Sequence, residues 1–131
     1  MIIDTSVLVA ILFDEPDARR YADAIESHAT RRISAATYLE AAIVVDKRRW
    51  PARERRLDEI LSESRIVIEP VTETQARIAR EAYGDYGKGT GHAAGLNYGD
   101  CFAYALARDK GEPLLFKGTD FAKTDVRSAF A

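Results

Sequence analysis

Four carboxylates stand where an α/β chain could gather them for chemistry. Asp4 directly follows the apolar "MII" and precedes Thr5 and Ser6. Glu40 falls inside "AATYLEAAIVV", on a helical face shared with Ala36, Ile43 and Val44. Asp100, in "LNYGDCFAYALA", shares its face with Ala103, Tyr104 and Ala107, and Asp120 lies in "LLFKGTDF". Each acid alone has an ordinary use. Asp4 can cap a helix, Glu40 can be an acid at the core margin, and Asp100 can sit in a helix dipole. Asp120 can be a turn residue after Gly118. A carboxylate on a small, apolar face is nevertheless protonated unless a cation compensates it. An all-oxygen set without neighbouring Cys or His selects a hard cation, Mg²⁺ or Mn²⁺, over zinc. Such a cation activates water and neutralises a phosphoryl group, which points to metal-assisted phosphodiester hydrolysis. Asp125 in "TDV" is a further candidate with a competing use as a turn or cap, and Ser6 is either a cap or a donor holding Asp4.

The elements that must position these acids alternate in type. "MIID", "RRISA", "RIVIEPV" and "PLLF" read as short strands, and amphipathic or apolar helical stretches lie between them. Ser34 is an N-cap candidate for "AATYLEAAIVVDKRRW", and Pro51 stops that helix and opens "ARERRLDEILSES". Thr72 with Gln75 has the capping-box pattern for "ETQARIAREAYGDYG". The helix containing Asp100 closes on Lys110, Gly111 and Pro113, a cation, a C′ glycine and a breaker in the expected order. The tail "KGTDFAKTDVRSAFA" is expected to add a short edge strand. This alternation predicts an α/β fold with a central, mainly parallel sheet covered by helices on both faces. Ligand sites in such sheets lie beyond the carboxyl ends of the strands, where Asp4, Ser34–Ala35 and Lys117–Asp120 fall.

A chain of 131 residues fits one domain, 1–131, with one core. Its formal net charge of -2 supplies no global positive field for nucleic acid, so such contacts must come from local clusters: Arg31–Arg32, Lys47–Arg49 and Arg53–Arg56. The single Cys101 excludes an internal disulfide, lies in an apolar segment and reads as inert packing. The longest apolar run, Val7 to Phe13, is too short to span a bilayer, which needs about 20 residues. No membrane association is expected, and the expected location is the cytoplasm.

With the four acids in view, the chain resembles the PIN-domain ribonucleases, specifically the VapC toxins of toxin–antitoxin pairs. The stretches that carry the resemblance are "MIIDTSVLVAIL", "ISAATYLEAAIVV", "LNYGDCFAYALA" and "LLFKGTDFAKTDV", in that order across nearly the whole chain. The resemblance implies a PIN-like three-layer sandwich. It implies a metal site of Asp4, Glu40, Asp100 and Asp120, with Ser6 and Thr119 as supporting hydroxyls and Asp125 close enough to share the role of Asp120. It further implies a Mg²⁺-dependent endoribonuclease, with Mn²⁺ as a substitute, that hydrolyses RNA by a metal-activated water. Homodimerisation is implied, as is a higher hetero-oligomer with a cognate VapB-type antitoxin that lays a segment across the site.

Three decoys and three rivals frame that reading. "GKGTG" with Lys88 lacks the spacing of a phosphate-binding loop and follows a helix rather than a strand. His92 in that link reads as a solvated loop residue, and His28 as a helix-end residue. A receiver-like domain needs adjacent acids after its first strand, where "IIDTS" supplies one, and a haloacid-dehalogenase-type phosphatase needs D-x-D, where Ser6 holds the second position. A catalytically silent partner-binding domain is the remaining alternative.

Overall fold

A computed structural model describes residues 1–130 of the chain. The elements run β1 (Ile2–Ile3), α1 (Thr5–Leu12), α2 (Ala18–Ser27), β2 (Arg32–Ser34), α3 (Ala35–Asp46), α4 (Pro51–Glu63), β3 (Val67–Glu69), α5 (Glu73–Tyr86), α6 (Tyr98–Lys110) and β4 (Leu114–Leu115). A 3-10 turn at Phe121–Lys123 follows. All four strands pair in parallel, in the order β3-β2-β1-β4.

The period-2 alternation of side chains divides the interior into two cores and so produces the three layers. Ile3 and Leu115 face one side with Ile33, where Val7, Leu8, Ala41, Leu57 and Ile60 close over them. Ile2 and Leu114 face the other, packed with Ala79, Ala82, Ala103 and Leu106 from α5 and α6. The two strands at the site, β1 and β4, are apolar and buried on both faces, whereas the edge strand β3 leaves Val67 and Ile68 exposed.

Several local expectations hold. Ser34 caps α3 by accepting from the Ala36 amide at 3.2 Å. Pro51 occupies the first turn of α4, and Gly111 ends α6 in the left-handed region at φ 64°. Three expectations are corrected. α3 ends at Asp46 instead of running to Trp50, so Pro51 opens α4 but does not stop α3. The Thr72 hydroxyl caps α5 through the Gln75 amide, but the Gln75 side chain does not complete the box; it reaches Asp109 on α6 at 3.0 Å. A tertiary partner outcompetes the local one. The tail contributes a single parallel bridge, Ser128 to Leu114, in place of a strand.

Chain order and sheet order together locate the site. The chain builds β1, β2 and β3 outward in one direction, then places β4 on the far side of β1. The switch point therefore lies at the carboxyl ends of β1 and β4, beside the first turn of α1.

Candidate active site

Asp4 ends β1 and caps α1. Its backbone amide still donates to the Leu115 carbonyl at 3.0 Å, which fixes it to the sheet. Its Oδ2 accepts from the Ser6 amide at 3.1 Å and the Ser6 hydroxyl at 2.6 Å. The Ser6 Oγ in turn accepts from the Lys117 amide at 3.0 Å, joining the loop after β4 to Asp4. The cap and site readings of Asp4 and Ser6 are thus compatible. Asp4 is only 4 % exposed, and its Oδ1 is buried without a hydrogen-bond partner. Burial pushes the Asp4 carboxyl up, with the Glu40 charge adding, and the Ser6 hydrogen bonds oppose the rise.

Asp100 belongs to a complete capping box. Its amide donates to the Asn97 side chain at 2.8 Å, and its Oδ2 accepts from the Asn97 amide at 2.9 Å. One carboxylate oxygen is thereby used by the helix, and the group remains half-buried. Burial pushes its carboxyl to about 6; the Asn97 hydrogen bond works against this, while the Asp4, Glu40 and Asp120 charges add to it. Asp100 therefore lies within electrostatic reach of Asp4, Glu40 and Asp120, and Asp4 within reach of Glu40.

Glu40 projects from α3 toward this centre. Its Oε1 accepts a short hydrogen bond from the Thr5 hydroxyl of α1. Asp120 and Thr119 lie exposed on the loop after β4, and Asp120 precedes the 3-10 turn without capping it through its side chain. Asp125 is engaged elsewhere: Tyr104 donates its phenol to Oδ1, and Arg108 stands 3.5 Å from Oδ2. Its geometry is that of a structural partner to α6.

Three residues of the site have no counterpart in the sequence reading: Thr5, Asn97 and Gly99. Gly99 carried a signal, a glycine within a helical pattern and directly before Asp100. Lys117, three residues before Asp120, is committed to Glu15 at 3.2 Å and Asp17 at 3.0 Å between α1 and α2. Cys101 is buried, its thiol pushed up to about 11 by that burial and by the Asp100 charge, which fits inert packing. His28 caps the end of α2, with Nδ1 2.8 Å from the Ala24 carbonyl.

The donor set suits a hard divalent cation: carboxylates only, with one buried oxygen unsatisfied. Among the described residues no three acids close into a ready cage. Uncompensated carboxylates repel, and a cation is what would draw such a set together.

The comparisons with known proteins converge. The model of the PIN domain family matches residues 1–127. Ribonuclease VapC28 of Mycobacterium tuberculosis (strain ATCC 25618 / H37Rv) is 58% identical over 129 residues, covering 98% of this chain and 97% of that protein. Ribonuclease VapC of Mycolicibacterium smegmatis is 52% identical over 126 residues, covering 96% and 97%. Among solved structures, Mycobacterium tuberculosis VapC20, described as a Sarcin-Ricin loop cleaving toxin, superposes with a TM-score of 0.76 at 16% identity, covering 95% of each chain. A toxin–antitoxin complex from Klebsiella pneumoniae gives 0.69 at 24% identity, covering 92% of this chain and 89% of that one. These two likenesses establish the fold.

Proposed function

The chain belongs to the PIN-domain family, among the VapC ribonucleases, and from that premise we propose that it is the endoribonuclease toxin of a toxin–antitoxin pair, hydrolysing RNA phosphodiester bonds with Mg²⁺, or Mn²⁺ in its place. The observation that carries the metal-dependent part is the orphaned Asp4 Oδ1, buried close enough to Glu40 and Asp100 for their charges to act together. A buried acceptor without a partner is costly, and a cation satisfies it. The single acid after β1 and the family membership set the receiver-like alternative aside.

Asp4 and Asp100 would hold the cation directly, with Glu40 and Asp120 completing the set. When bound, the cation supplies an activated water and charge stabilisation at the phosphate. The protein does the rest. Ser6 and the Lys117 amide lock Oδ2 of Asp4, which leaves Oδ1 as the open donor. The Asn97 amide occupies one oxygen of Asp100 and leaves the other available. Asp120, on the exposed loop, would complete the set by ligation or through a water. The first turns of α1, α3 and α6 flank the centre and favour negative charge there.

The partners follow the same reading. RNA is the substrate, and a VapB-type antitoxin is the inhibitor in a hetero-oligomer. Homodimerisation is proposed through the apolar face of α3 and α6, where Leu39 is 58%, Ile43 45% and Tyr98 78% exposed. No helix among the described residues is long and apolar enough to cross a membrane, and the proposed location is the cytoplasm.

The test is incubation of purified protein with total RNA, with and without Mg²⁺ or Mn²⁺, and mapping of the cut ends. Discrete metal-dependent cuts are expected, and an Asp4→Asn, Asp100→Asn double variant should abolish them. Retained cutting by that variant would refute the assignment.

A further inference from the structure

Glu40 must stay beside Asp100 for the metal-dependent reading to hold, and α3 alone does not keep it there. The side chain is half-buried and lines a groove of about 430 Å³ together with Leu39, Ile43, Tyr98, Gly99 and Phe102. A glutamate has three side-chain torsions, so an unrestrained carboxylate in such a groove is free to turn to solvent. Contacts from two other elements oppose this. From α1, the Thr5 hydroxyl donates to Oε1. From α6, Gly99 leaves room on the other side: a Cβ on Gly99 would lie 2.0 Å from Oε2, 2.7 Å from Cδ and 3.1 Å from Oε1.

Nothing in the Gly99 backbone calls for glycine. It lies in the first turn of α6 and is not among the glycines with positive φ. Alanine is the better helix former at such a position. Gly84, also helical, has nothing within 4 Å of its absent Cβ, so close approach is not general to the helical glycines here. What Gly99 provides is space. It lets a carboxylate from α3 rest against the first turn of α6, where unpaired amides and the helix dipole favour an anion.

We propose that Gly99 and Thr5 are positioning residues that clamp the Glu40 carboxylate between α1 and the first turn of α6, presenting it to the metal centre. The clamp rests on the metal-dependent reading above. Thr5 fixes Oε1, and the missing side chain at Gly99 admits Oε2. Neither residue touches the reacting atoms.

The test separates stability from metal binding. Mn²⁺ alone is titrated by calorimetry into metal-free parent, Gly99→Ala, Thr5→Val, Thr5→Ser, Glu40→Ala and Gly99→Ala with Glu40→Ala, and the metal-free Tm of each is recorded. Gly99→Ala should keep or raise the metal-free Tm yet weaken Mn²⁺ binding by about 10–100-fold, the range for losing a partner that orients a ligand. Thr5→Val should weaken binding in the same direction, and Thr5→Ser should restore it. In the Glu40→Ala background Gly99→Ala should cost nothing further, because the carboxylate it displaces is gone. Parent-like Mn²⁺ affinity in Gly99→Ala overturns the clamp, as does an equal loss with and without Glu40. A parent that fails to bind Mn²⁺ overturns the metal-dependent reading itself, and that failure shows before any substitution is made.

Discussion

Removing the charge of Asp100 should stabilise the metal-free protein at neutral pH. The Asp100 carboxyl is pushed from 3.8 to about 6, first by burial and then by the Asp4, Glu40 and Asp120 charges. Between those values the native state holds more protons than the unfolded chain, so stability falls as pH rises through this window. The favourable contribution is complete below about 4 and lost above about 6. Asp4 is shifted in the same direction and deepens the effect. A difference of about two pH units corresponds to about 3 kcal/mol, and screening at a half-buried group reduces this to about 2 kcal/mol. For a domain of this size that is roughly 6–8 °C in Tm. The perturbation is Asp100→Asn, which keeps an acceptor for the Asn97 amide and so spares the capping box. The assay is thermal unfolding in EDTA from pH 5 to 8, repeated with Mg²⁺. The parent should lose stability from pH 5 to 7, Asp100→Asn should lose clearly less, with Asp4 supplying what slope remains, and the variant should melt higher at pH 7.5. Mg²⁺ should reverse that order by stabilising only the parent. A parent whose metal-free stability is level or rises across this window, or a variant that melts lower at pH 7.5 without metal, would refute the reasoning.

Asp120→Asn should remove RNA cleavage, while Asp125→Asn should leave it within a few-fold of the parent in the same assay, because Tyr104 and Arg108 already occupy Asp125. Ser6→Ala removes the hydroxyl that serves both Asp4 and the Lys117 amide; it should cost about 1–3 kcal/mol in urea unfolding, since Asp4 Oδ2 keeps only the Ser6 amide and the Lys117 amide loses its acceptor. Lys117→Met should cost less than about 1 kcal/mol, and less still at high salt, because its two ion pairs are partly exposed. Gly111→Ala should lower stability by about 1 kcal/mol, read by thermal unfolding, from the left-handed φ of 64°.

The fold was legible wherever the signal was local. Strand–helix alternation, the Ser34 cap, Pro51 and Gly111 each act within a few residues, and each took its expected place. Two of the failures came where a distant residue competed. Gln75 left its own helix end for Asp109, 34 residues away in sequence. The tail found only the Leu114 edge to pair with and made one bridge there.

The site divides along the same line. Helical face nominated Glu40 and Asp100, position after a strand nominated Asp4 and Asp120, and the family resemblance joined the four. What holds them did not stand out. Asp4 is fixed in part through the Lys117 amide at the end of β4, and Glu40 through a hydroxyl on α1 and a missing side chain on α6. Part of this fastening is local: Ser6 holds Oδ2 of Asp4 and Asn97 holds Oδ2 of Asp100 from within three residues. Glu40 differs, because it lies inside α3, where the backbone amides are already paired within the helix. Its carboxylate therefore takes its donor from α1 and its wall from α6, contacts that come into view only with the tertiary structure.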